Sequence, residues 1–399
     1  MNGLPWVLAA AAALLIVGVS AELGARWWLR HRGVYYVWAP GFRVRRHSDP
    51  EVFPELKPVV RFEVNSDGER GDEVPGVSEN LYRLLVAGGS AVEGYLLEQP
   101  TSWPSVLQRL LGTPEHLQLL GASRVHVGNI ARSGVGSQAL HLIFERVLPR
   151  YRHLDAIVIM VGISDVYQWL QNGAPASLQP APVPVSEVFA CHPEGPYGWR
   201  PRKLALVELL RRFRRRFLRP VVVEERAGRW MGRARAMRAL ANEVRTATPN
   251  PTPLLDHFED HFRQLLKKAK AHAQRVLVVR QLCFDKDHYT REELAHFWHG
   301  GVGKAWQDEV TVFYSAGVVS RLMGLVDARA VLVAKEMDIE HLDLTPVLER
   351  SLTNYYDHCH FTPAGAAAVG AAVAGAILRR PIPATTRSGG VPSPTLAPR

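Results

Sequence analysis

Cysteine is scarce in this chain. Its 399 residues include only three cysteines, Cys191, Cys283 and Cys359, which are widely spaced and contain no C-x-x-C pair. An odd and scattered set of this kind indicates neither a disulfide framework nor a zinc ribbon, and at most one bridge could form. The hydrophobic content of 47% is that of a globular protein with a substantial core. The composition therefore excludes a disulfide-stapled or generally disordered chain, and the length allows one large domain or two ordinary ones.

A chain-wide excess of positive charge is also absent. The formal charge is +10, but residues 200–245 carry 15 basic side chains against 4 acidic ones, so the remainder is close to neutral. No recognisable nucleic-acid reader motif accompanies this charge, and nucleic acid is not expected as a partner. Within the basic segment, residues 204–218 form an amphipathic pattern, with apolar side chains on one helical face and arginines on the other. A solvated surface helix and a helix that contacts anionic lipid headgroups are the two main interpretations.

One long uncharged run lies at the N-terminus. Residues 4–21, LPWVLAAAAALLIVGVSA, are just numerous enough to span a bilayer. VSA resembles a small-residue cleavage site, so a cleaved signal peptide is one interpretation. A retained anchor over residues 1–33 is favoured, because the run continues into ELGARWWLRHR, whose tryptophans and arginines suit a membrane interface. By the positive-inside rule alone, those arginines would place the main domain in the cytoplasm.

From about Tyr82 onward, the chain contains four apolar runs of strand length. They are YRLLVAGGS, RVHVGNIA, LDAIVIMVG and RVLVVRQL, as expected of parallel strands that are covered on both faces. Helical segments separate them, which predicts an α/β domain with a mostly parallel sheet and ligands beyond the carboxyl ends of its strands. We place this domain at residues 50–380, with a basic helical insertion at about 166–275. The Pro-, Ser- and Thr-rich residues 381–399 are expected to be a disordered tail.

A serine follows the first of these strands. In LLVAGGSAVEGY, two glycines precede Ser90 and let the backbone turn sharply, which would expose the serine at the top of the sheet. The phrase is not the G-x-S-x-G nucleophile elbow, because Val92 stands where the second glycine would be. By itself, a Gly-Gly-Ser after a strand is more often a structural turn than a catalytic one.

An acid and two histidines precede the last apolar helix, in YYDHCHFTPAG. Asp357 and His360 are three positions apart, so on a helical turn the carboxylate can fix the orientation and tautomer of the imidazole. A serine nucleophile needs such a base, since its hydroxyl reacts poorly at neutral pH. A helix-capping or otherwise satisfied histidine is the alternative. A metal site made of His358, Cys359 and His360 is not expected, because adjacent side chains diverge.

Two further strand ends carry glycine or polar residues. VGNIARSGVGSQ supplies Gly134, and VIMVGISDV supplies Ser164 and Asp165. The order GGS, then Asn129 with Gly134, then G-x-S-D, then D-x-x-H-F-T-P-A-G resembles the four sequence blocks of the SGNH/GDSL hydrolase superfamily. The phrases AELGAR and FEVNSDGERG also resemble a membrane-anchored branch of that superfamily. The similarity covers roughly residues 22–166 and 275–380.

The resemblance implies a flavodoxin-like three-layer α/β sandwich with a Ser-His-Asp triad and no cofactor or metal. Ser90 would be the nucleophile, His360 the general base and Asp357 its orienting acid. The oxyanion would be held by the backbone N–H groups of Ser90 and Gly134 and by a side-chain donor at Ser164. The family has asparagine at that last position. Because serine offers one hydroxyl in place of an amide, it either misplaces the third donor or acts through a water, and the expected activity is lower.

The implied function is a serine ester hydrolase that works through an acyl-enzyme, on a cell-envelope, lipid or carbohydrate ester. Acyl or acetyl transfer by the same triad is one alternative, and a catalytically weakened scaffold docked on the membrane is another. The expected partners are the ester substrate and the membrane, which the N-terminal helix and the basic helix of residues 204–218 would contact. Related anchored enzymes act outside the cytoplasm, so we place the domain there, with a cleaved secreted form as the alternative.

Overall fold

The computed structural model describes residues 4–75, 80–178, 181–195, 197–217 and 222–381. The predicted tail, apart from Pro381, lies outside the described residues, and so does Leu218 at the end of the predicted basic helix. The described chain begins with helix α1 (Leu4–Arg32). Its segment Pro5–Arg32 has a mean hydropathy of 2.1 in its apolar window and is long enough to cross a membrane. The predicted N-terminal apolar helix is confirmed.

A parallel sheet of five strands forms the centre of the fold. In chain order, the strands of the described residues are β1 (Arg43–His47), β2 (Val59–Glu63), β3 (Leu81–Gly88), β4 (Arg124–Asn129), β5 (Ala156–Met160), β6 (Val222–Glu225), β7 (Glu243–Arg245), β8 (Arg275–Val279), β9 (Val312–Tyr314) and β10 (Glu340–Leu342). The central sheet has the order β10-β8-β5-β3-β4, and all of its neighbours are parallel. Numbered along the chain this is the flavodoxin-like order 2-1-3-4-5. The predicted α/β fold with a mostly parallel sheet is confirmed.

Helices cover both faces of this sheet. After α1 they are α2 (Ser90–Glu93), α3 (Trp103–Leu111), α4 (Pro114–Leu120), α5 (Ser137–Val147), α6 (Ile163–Gln171), α7 (Val185–Val188), α8 (Ala205–Phe217), α9 (Ala227–Ala239), α10 (Thr252–His272), α11 (Arg291–Ala295), α12 (Ala316–Glu336) and α13 (Pro363–Arg379). Short 3₁₀ turns occupy Gln99–Thr101, Leu148–Arg150 and Pro201–Lys203. Helices α3 and α13 pack together on one face, and α10 packs between α5 and α12 on the other. The result is the three-layer sandwich.

Alternation along the central strands explains why their sequences are apolar at most positions. Leu84 and Val86 of β3 belong to the core beneath α3 and α13, whereas Leu85 and Ala87 belong to the core beneath α5, α10 and α12. All four side chains are fully buried. Because both faces are covered, both sets of alternate positions favour apolar residues.

The segment expected to be an insertion, residues 166–275, contains two kinds of structure. Its middle part includes α8, β6 and α9, and β6 pairs in parallel with β1 outside the central sheet. Its last part is α10, which covers the sheet and leads into β8. The outer layer of the sandwich therefore already resumes at Thr252, before the expected boundary at residue 275.

Candidate active site

The three side chains predicted as a triad lie within hydrogen-bonding distance of one another. His360 Nε2 is 2.7 Å from Ser90 Oγ, although 270 positions separate the two residues in the chain. On the other side of the ring, His360 Nδ1 is 2.7 Å from Asp357 Oδ2. This is the order of hydroxyl, imidazole and carboxylate that a serine nucleophile, its base and an orienting acid require.

Ser90 begins the one-turn helix α2 directly after β3, and two glycines make that position accessible. A Cβ at Gly88 would lie 2.0 Å from the carbonyl oxygen of Met160 at the end of β5. A Cβ at Gly89 would lie 3.0 Å from Ser164 Oγ. The absence of these two side chains therefore lets the serine turn pack against the end of the neighbouring strand and the helix that follows it.

The base side of the site consists of Asp357 and His360. Asp357 is fully buried, and its Oδ1 accepts the backbone N–H groups of Cys359 and His360 at 2.9 Å each. The indole Nε1–H of Trp298 donates to Oδ2, also at 2.9 Å. Burial opposes ionisation of this carboxyl, but the neighbouring imidazole of His360 and the hydrogen bonds from that ring and from the backbone of Cys359 hold its pKa below the usual range. Asp357 is therefore a fixed anion that faces the imidazole.

His360 shows the complementary effect. Burial favours the neutral imidazole, but the carboxylate of Asp357 outweighs burial and raises the pKa of His360 well above its ordinary value. Because Nδ1 faces Asp357, the neutral ring carries its proton there and leaves Nε2 free to accept from Ser90. The ring of Tyr356 stacks on the imidazole at an interplanar angle of 10°. The ring is thus held in the orientation and tautomer of a general base.

The groups predicted to hold an oxyanion are the backbone N–H groups of Ser90 and Gly134 and the hydroxyl of Ser164, and we call them the oxyanion side of the site. These residues and His360 line one cavity of about 690 Å³. Gly134 has φ of +76°, a left-handed conformation that favours glycine, and a Cβ there would meet nothing within 4 Å. Ser164 lies in the first turn of α6 and is 6% exposed. The loops after β3, β4 and β5 thus meet at one end of the sheet, where ligands are expected in this fold.

Two buried carboxylates hold the loop that carries Gly134. Glu93 accepts the backbone N–H of Ser133 at 2.5 Å and its hydroxyl at 2.6 Å. At the other end of the loop, Asp165 accepts the backbone N–H of Ser137 at 2.9 Å and its hydroxyl at 2.6 Å. Burial raises the pKa of Asp165 to about 6 in spite of these bonds. The geometry of the oxyanion side therefore depends on side chains that do not themselves face the oxyanion.

Sequence reasoning missed both Glu93 and Trp298. Glu93 lies inside the GGSAVEGY phrase, and an acid in a glycine-flanked apolar turn is the one signal that could have found it. It is 1% exposed, and the guanidinium of Arg46 lies 3.0 Å from its second oxygen. Trp298 is 59 positions before Asp357, in a segment without regular secondary structure, and nothing near it in the sequence signals the contact.

The cavity beside the triad has aromatic walls. Its aromatic lining residues are Tyr95, Tyr167, Trp230, Trp298 and Trp306. The rings of Trp230 and Trp298 meet edge to face with centroids 5.2 Å apart. Trp230 belongs to α9, so the inserted segment supplies part of the wall. A largely apolar cavity of this size, with polar groups gathered at one place, is typical of a small-molecule site.

One group of metal-binding side-chain types occurs within the described ranges. The ligand atoms of His299, Cys359 and His360 all lie within 4.8 Å of one another. Both ring nitrogens of His360 already face its two triad partners, and burial raises the pKa of the Cys359 thiol to about 11. An ion here would compete with the triad arrangement for the same imidazole.

His358, which the sequence placed beside His360, has a different environment. Its Nδ1 is 3.1 Å from the hydroxyl of Tyr167, and its Nε2 is 3.0 Å from Ser320 Oγ. Burial is the main cause that lowers the pKa of His358 to about 4. This histidine is therefore neutral at physiological pH and belongs to a buried hydrogen-bond network.

Comparison with known proteins gives distant structural likenesses only. No protein family model matches the chain, and no curated protein matches its sequence. The acetylxylan esterase Axe2 from Geobacillus stearothermophilus aligns over 73% of this chain and 92% of its own, at 14% identity and a TM-score of 0.37. LAE5, an alpha/beta hydrolase enzyme from the metagenome of Lake Arreo, aligns over 74% and 96%, at 11% identity and a TM-score of 0.41. A member of the lipolytic protein G-D-S-L family from Veillonella parvula aligns over 75% and 100%, at 9% identity and a TM-score of 0.39.

Proposed function

We propose that the chain is a serine ester hydrolase of the SGNH/GDSL type, with Ser90, His360 and Asp357 as its catalytic triad. The observation that carries this proposal is the pair of 2.7 Å hydrogen bonds that links the serine hydroxyl through one imidazole to a buried carboxylate. Such a relay is what converts a weakly nucleophilic hydroxyl into a reactive one at neutral pH.

In the acylation half of the reaction, Ser90 Oγ attacks the carbonyl carbon of the ester while His360 Nε2 accepts the hydroxyl proton. The anion of Asp357 stabilises the imidazolium that forms. The tetrahedral oxyanion accepts hydrogen bonds from the N–H groups of Ser90 and Gly134 and from the hydroxyl of Ser164. The intermediate then collapses, the bond to the leaving oxygen breaks, and His360 protonates the departing alcohol.

In the deacylation half, a water molecule takes the place of the alcohol. His360 removes a proton from the water as it attacks the acyl-enzyme, and a second oxyanion forms on the same donors. Collapse of this intermediate breaks the ester bond to Ser90, and His360 returns its proton to the serine. The products are the free carboxylic acid and the regenerated hydroxyl.

A panel of model esters with short to long acyl chains tests this function. We expect turnover of at least one ester, and a loss on the order of 10³-fold or more in Ser90→Ala because the acyl-enzyme can no longer form. Ser123→Ala, an exposed serine in the loop before β4, is the matched control and should keep full activity. Turnover that survives Ser90→Ala undiminished would contradict the proposal.

Acyl transfer by the same triad is a second candidate, because the cavity leaves room for an acceptor alcohol. About 690 Å³ is enough for an acyl group and an acceptor side by side. Analysis of products with a sugar alcohol present as acceptor separates the two activities. A new sugar ester would indicate transfer, whereas release of free acid alone would indicate hydrolysis.

We further propose that α1 is a retained anchor and that the hydrolase domain lies outside the cytoplasm. The helix continues without a break past residue 21, where the small-residue signal would be cut. Glu22, the residue after that position, is 2% exposed, and its carboxylate accepts the backbone N–H of Ala205 at the start of α8, so this part of α1 packs against the rest of the chain, which supports its retention. Protease treatment of intact cells should digest the domain, and the mature protein should keep its full mass. A protected domain, or a mature chain that begins at Glu22, would contradict this proposal.

A further inference from the structure

Helix α8 docks on the last third of α1. The carboxylate of Glu22 accepts the backbone N–H groups of Ala205 at 2.8 Å and Leu206 at 3.0 Å, the first two residues of α8. Ala25 and Leu29 of α1 pack against Ala205 in a small separate core. Glu22 is also the first charged residue after the uncharged run of α1. The start of α8 is therefore fixed at the level where the apolar part of α1 ends.

The side of α8 next to this contact is apolar and exposed. Leu206, Leu210 and Phe213 are 37%, 66% and 59% exposed, and they lie within about 60° of one another around a helix with 3.6 residues per turn. Arg211 and Arg214 are exposed, and the same helical geometry places them beyond this stripe, on the side away from α1. Arg211 also lies 3.9 Å from the carboxylate of Glu208. Going around α8, the face that contacts α1 is therefore next to the exposed apolar face, and the arginines lie on the far side of that apolar face.

Three exposed tryptophans lie close to the same junction. Trp27 and Trp28 are in the last turns of α1, and Trp199 precedes α8. Their exposed fractions are 61%, 45% and 60%. The guanidinium of Arg26 lies 4.6 Å from the centroid of the Trp199 ring, which ties this loop to α1. Tryptophans and arginines at the end of an apolar helix are typical of the zone between headgroups and acyl chains.

We propose that α8 rests on the surface of an anionic bilayer beside residues 22–32 of α1, where α1 leaves the membrane, and we call these two segments the interfacial platform. The stripe of Leu206, Leu210 and Phe213 would enter the boundary between headgroups and acyl chains, and Arg211 and Arg214 would contact lipid phosphates. Burial of the stripe beside a helix that already occupies the same leaflet removes its apolar surface from water. The adjacent positive charge complements anionic headgroups. These two features, continuity with α1 and charge, favour lipid over a protein partner.

The platform also lies close to the cavity. Arg212 of α8 donates a hydrogen bond to the carbonyl oxygen of His192 at 3.3 Å, and Val188, four positions earlier, lines the cavity. Four residues of extended chain span at most about 14 Å. If the proposed function holds, this geometry would keep the hydrolase next to esters that are presented at the membrane surface.

Fluorescence of a labelled full-length chain in lipid nanodiscs tests the platform. A polarity-sensitive fluorophore is attached to Phe213→Cys, and to Leu119→Cys in α4 as a matched control that is 55% exposed. The native cysteines, Cys191, Cys283 and Cys359, are all buried and do not compete for the label in the folded protein. In discs with phosphatidylglycerol, we expect a headgroup spin label to quench the fluorophore at 213 several-fold more than at 119. Equal quenching at the two positions would overturn the proposal.

Charge provides the second arm of the experiment. Replacing both Arg211 and Arg214 by Gln should weaken the contact with anionic discs by roughly fivefold for each arginine, and the preference for phosphatidylglycerol over pure phosphatidylcholine should be lost. Shielding at 213 in detergent without quenching by lipid labels would instead indicate a second copy of the chain and would also overturn the proposal. Neither readout depends on catalysis, so a failure of the platform is distinguishable from a failure of the proposed function. Turnover of a soluble ester should be unchanged in these variants, since none of the substituted residues belongs to the triad or the oxyanion side.

Discussion

The base side of the candidate active site and its oxyanion side differ in how their groups are held. On the base side, Asp357 receives hydrogen bonds from the ring and backbone of His360, from the backbone of Cys359 and from Trp298. On the oxyanion side, the third predicted donor is the single hydroxyl of Ser164, which can rotate about its bond to carbon. A carboxylate with several fixed donors has one orientation, whereas a lone hydroxyl does not. The charge that steers the base is therefore more rigidly defined than the dipole that would meet the oxyanion.

Among the variants that distinguish the base side from the oxyanion side, Asp357→Asn should cause the largest loss of turnover. An amide can donate to His360 Nδ1 and thereby stabilise the wrong tautomer, so the turnover number should fall by about 10⁴-fold. The exposed Asp308→Asn is the matched control and should have no effect. Steady-state kinetics with the best model ester gives the measurement. A loss of tenfold or less would show that the base side does not control catalysis.

Glu93→Gln should cause the next largest loss, because it loosens the loop of the oxyanion side. Both hydrogen bonds from Ser133 go to one carboxylate oxygen of Glu93, and Arg46 donates to the other oxygen. In glutamine one of these oxygens becomes an NH2 group that cannot accept, so the contacts with Ser133 and with Arg46 cannot both be kept. The resulting small displacement of Gly134 is expected to lower the turnover number by about 10²-fold. KM should change little, since the substituted group does not contact substrate. The melting temperature, measured in parallel, identifies any general loss of folding. A change confined to KM, or no change in either constant, would show that Glu93 does not position the loop of Gly134 for catalysis.

Ser164→Ala should have a smaller effect than loss of a well-placed donor. Loss of a fixed oxyanion donor typically costs 10²- to 10³-fold, and a rotating hydroxyl is expected to contribute only about tenfold. Ser164→Asn restores the side chain that the resembled family has at this position and should raise turnover above that of the natural chain. A 10³-fold loss in Ser164→Ala would show that the oxyanion side is as well defined as the base side.

The pH profile gives the smallest effect and probes His360 directly. The imidazole must be neutral to accept the proton of Ser90, so kcat/KM should rise with pH as His360 loses its proton. Because Asp357 raises the pKa of His360, this rise should occur above the ordinary histidine value of about 6.5. In Asp357→Asn, the residual kcat/KM should still rise with pH, but the midpoint of that rise should lie at a lower pH than in the natural chain. Profiles with the same midpoint in both proteins would disagree with the proposed pairing.

The central strands were predictable because a parallel sheet covered on both faces leaves its own signature in the sequence. Strands β3, β4, β5 and β8 are the four apolar runs that the sequence marks. The edge strand β10 was not predicted, since its three residues, Glu340–Leu342, contain two polar side chains and no apolar run. The C-terminal end of the insertion could not be located from the sequence either. Helix α10 has the same amphipathic pattern whether it belongs to an insertion or covers the central sheet.

The site was predictable only in part, for a physical reason. Ser90, His360 and Asp357 were predicted as a triad from the order of short motifs, and each motif reflects only the turn in which it lies. Their distances depend on the winding of the whole sheet. Trp298 and Glu93 contact their partners only through tertiary packing. The residue type alone does not show whether an acid such as Glu93 is buried or exposed. Contacts of this kind carry no local pattern.

Labelling with a fluorophosphonate, followed by peptide mapping of the full-length protein, tests the central claim most directly. The probe reacts preferentially with a serine whose hydroxyl is activated by a neighbouring base. We expect a single adduct on Ser90 in the natural chain and no adduct in Ser90→Ala. An unlabelled natural chain, or an adduct that persists in Ser90→Ala, would contradict this claim.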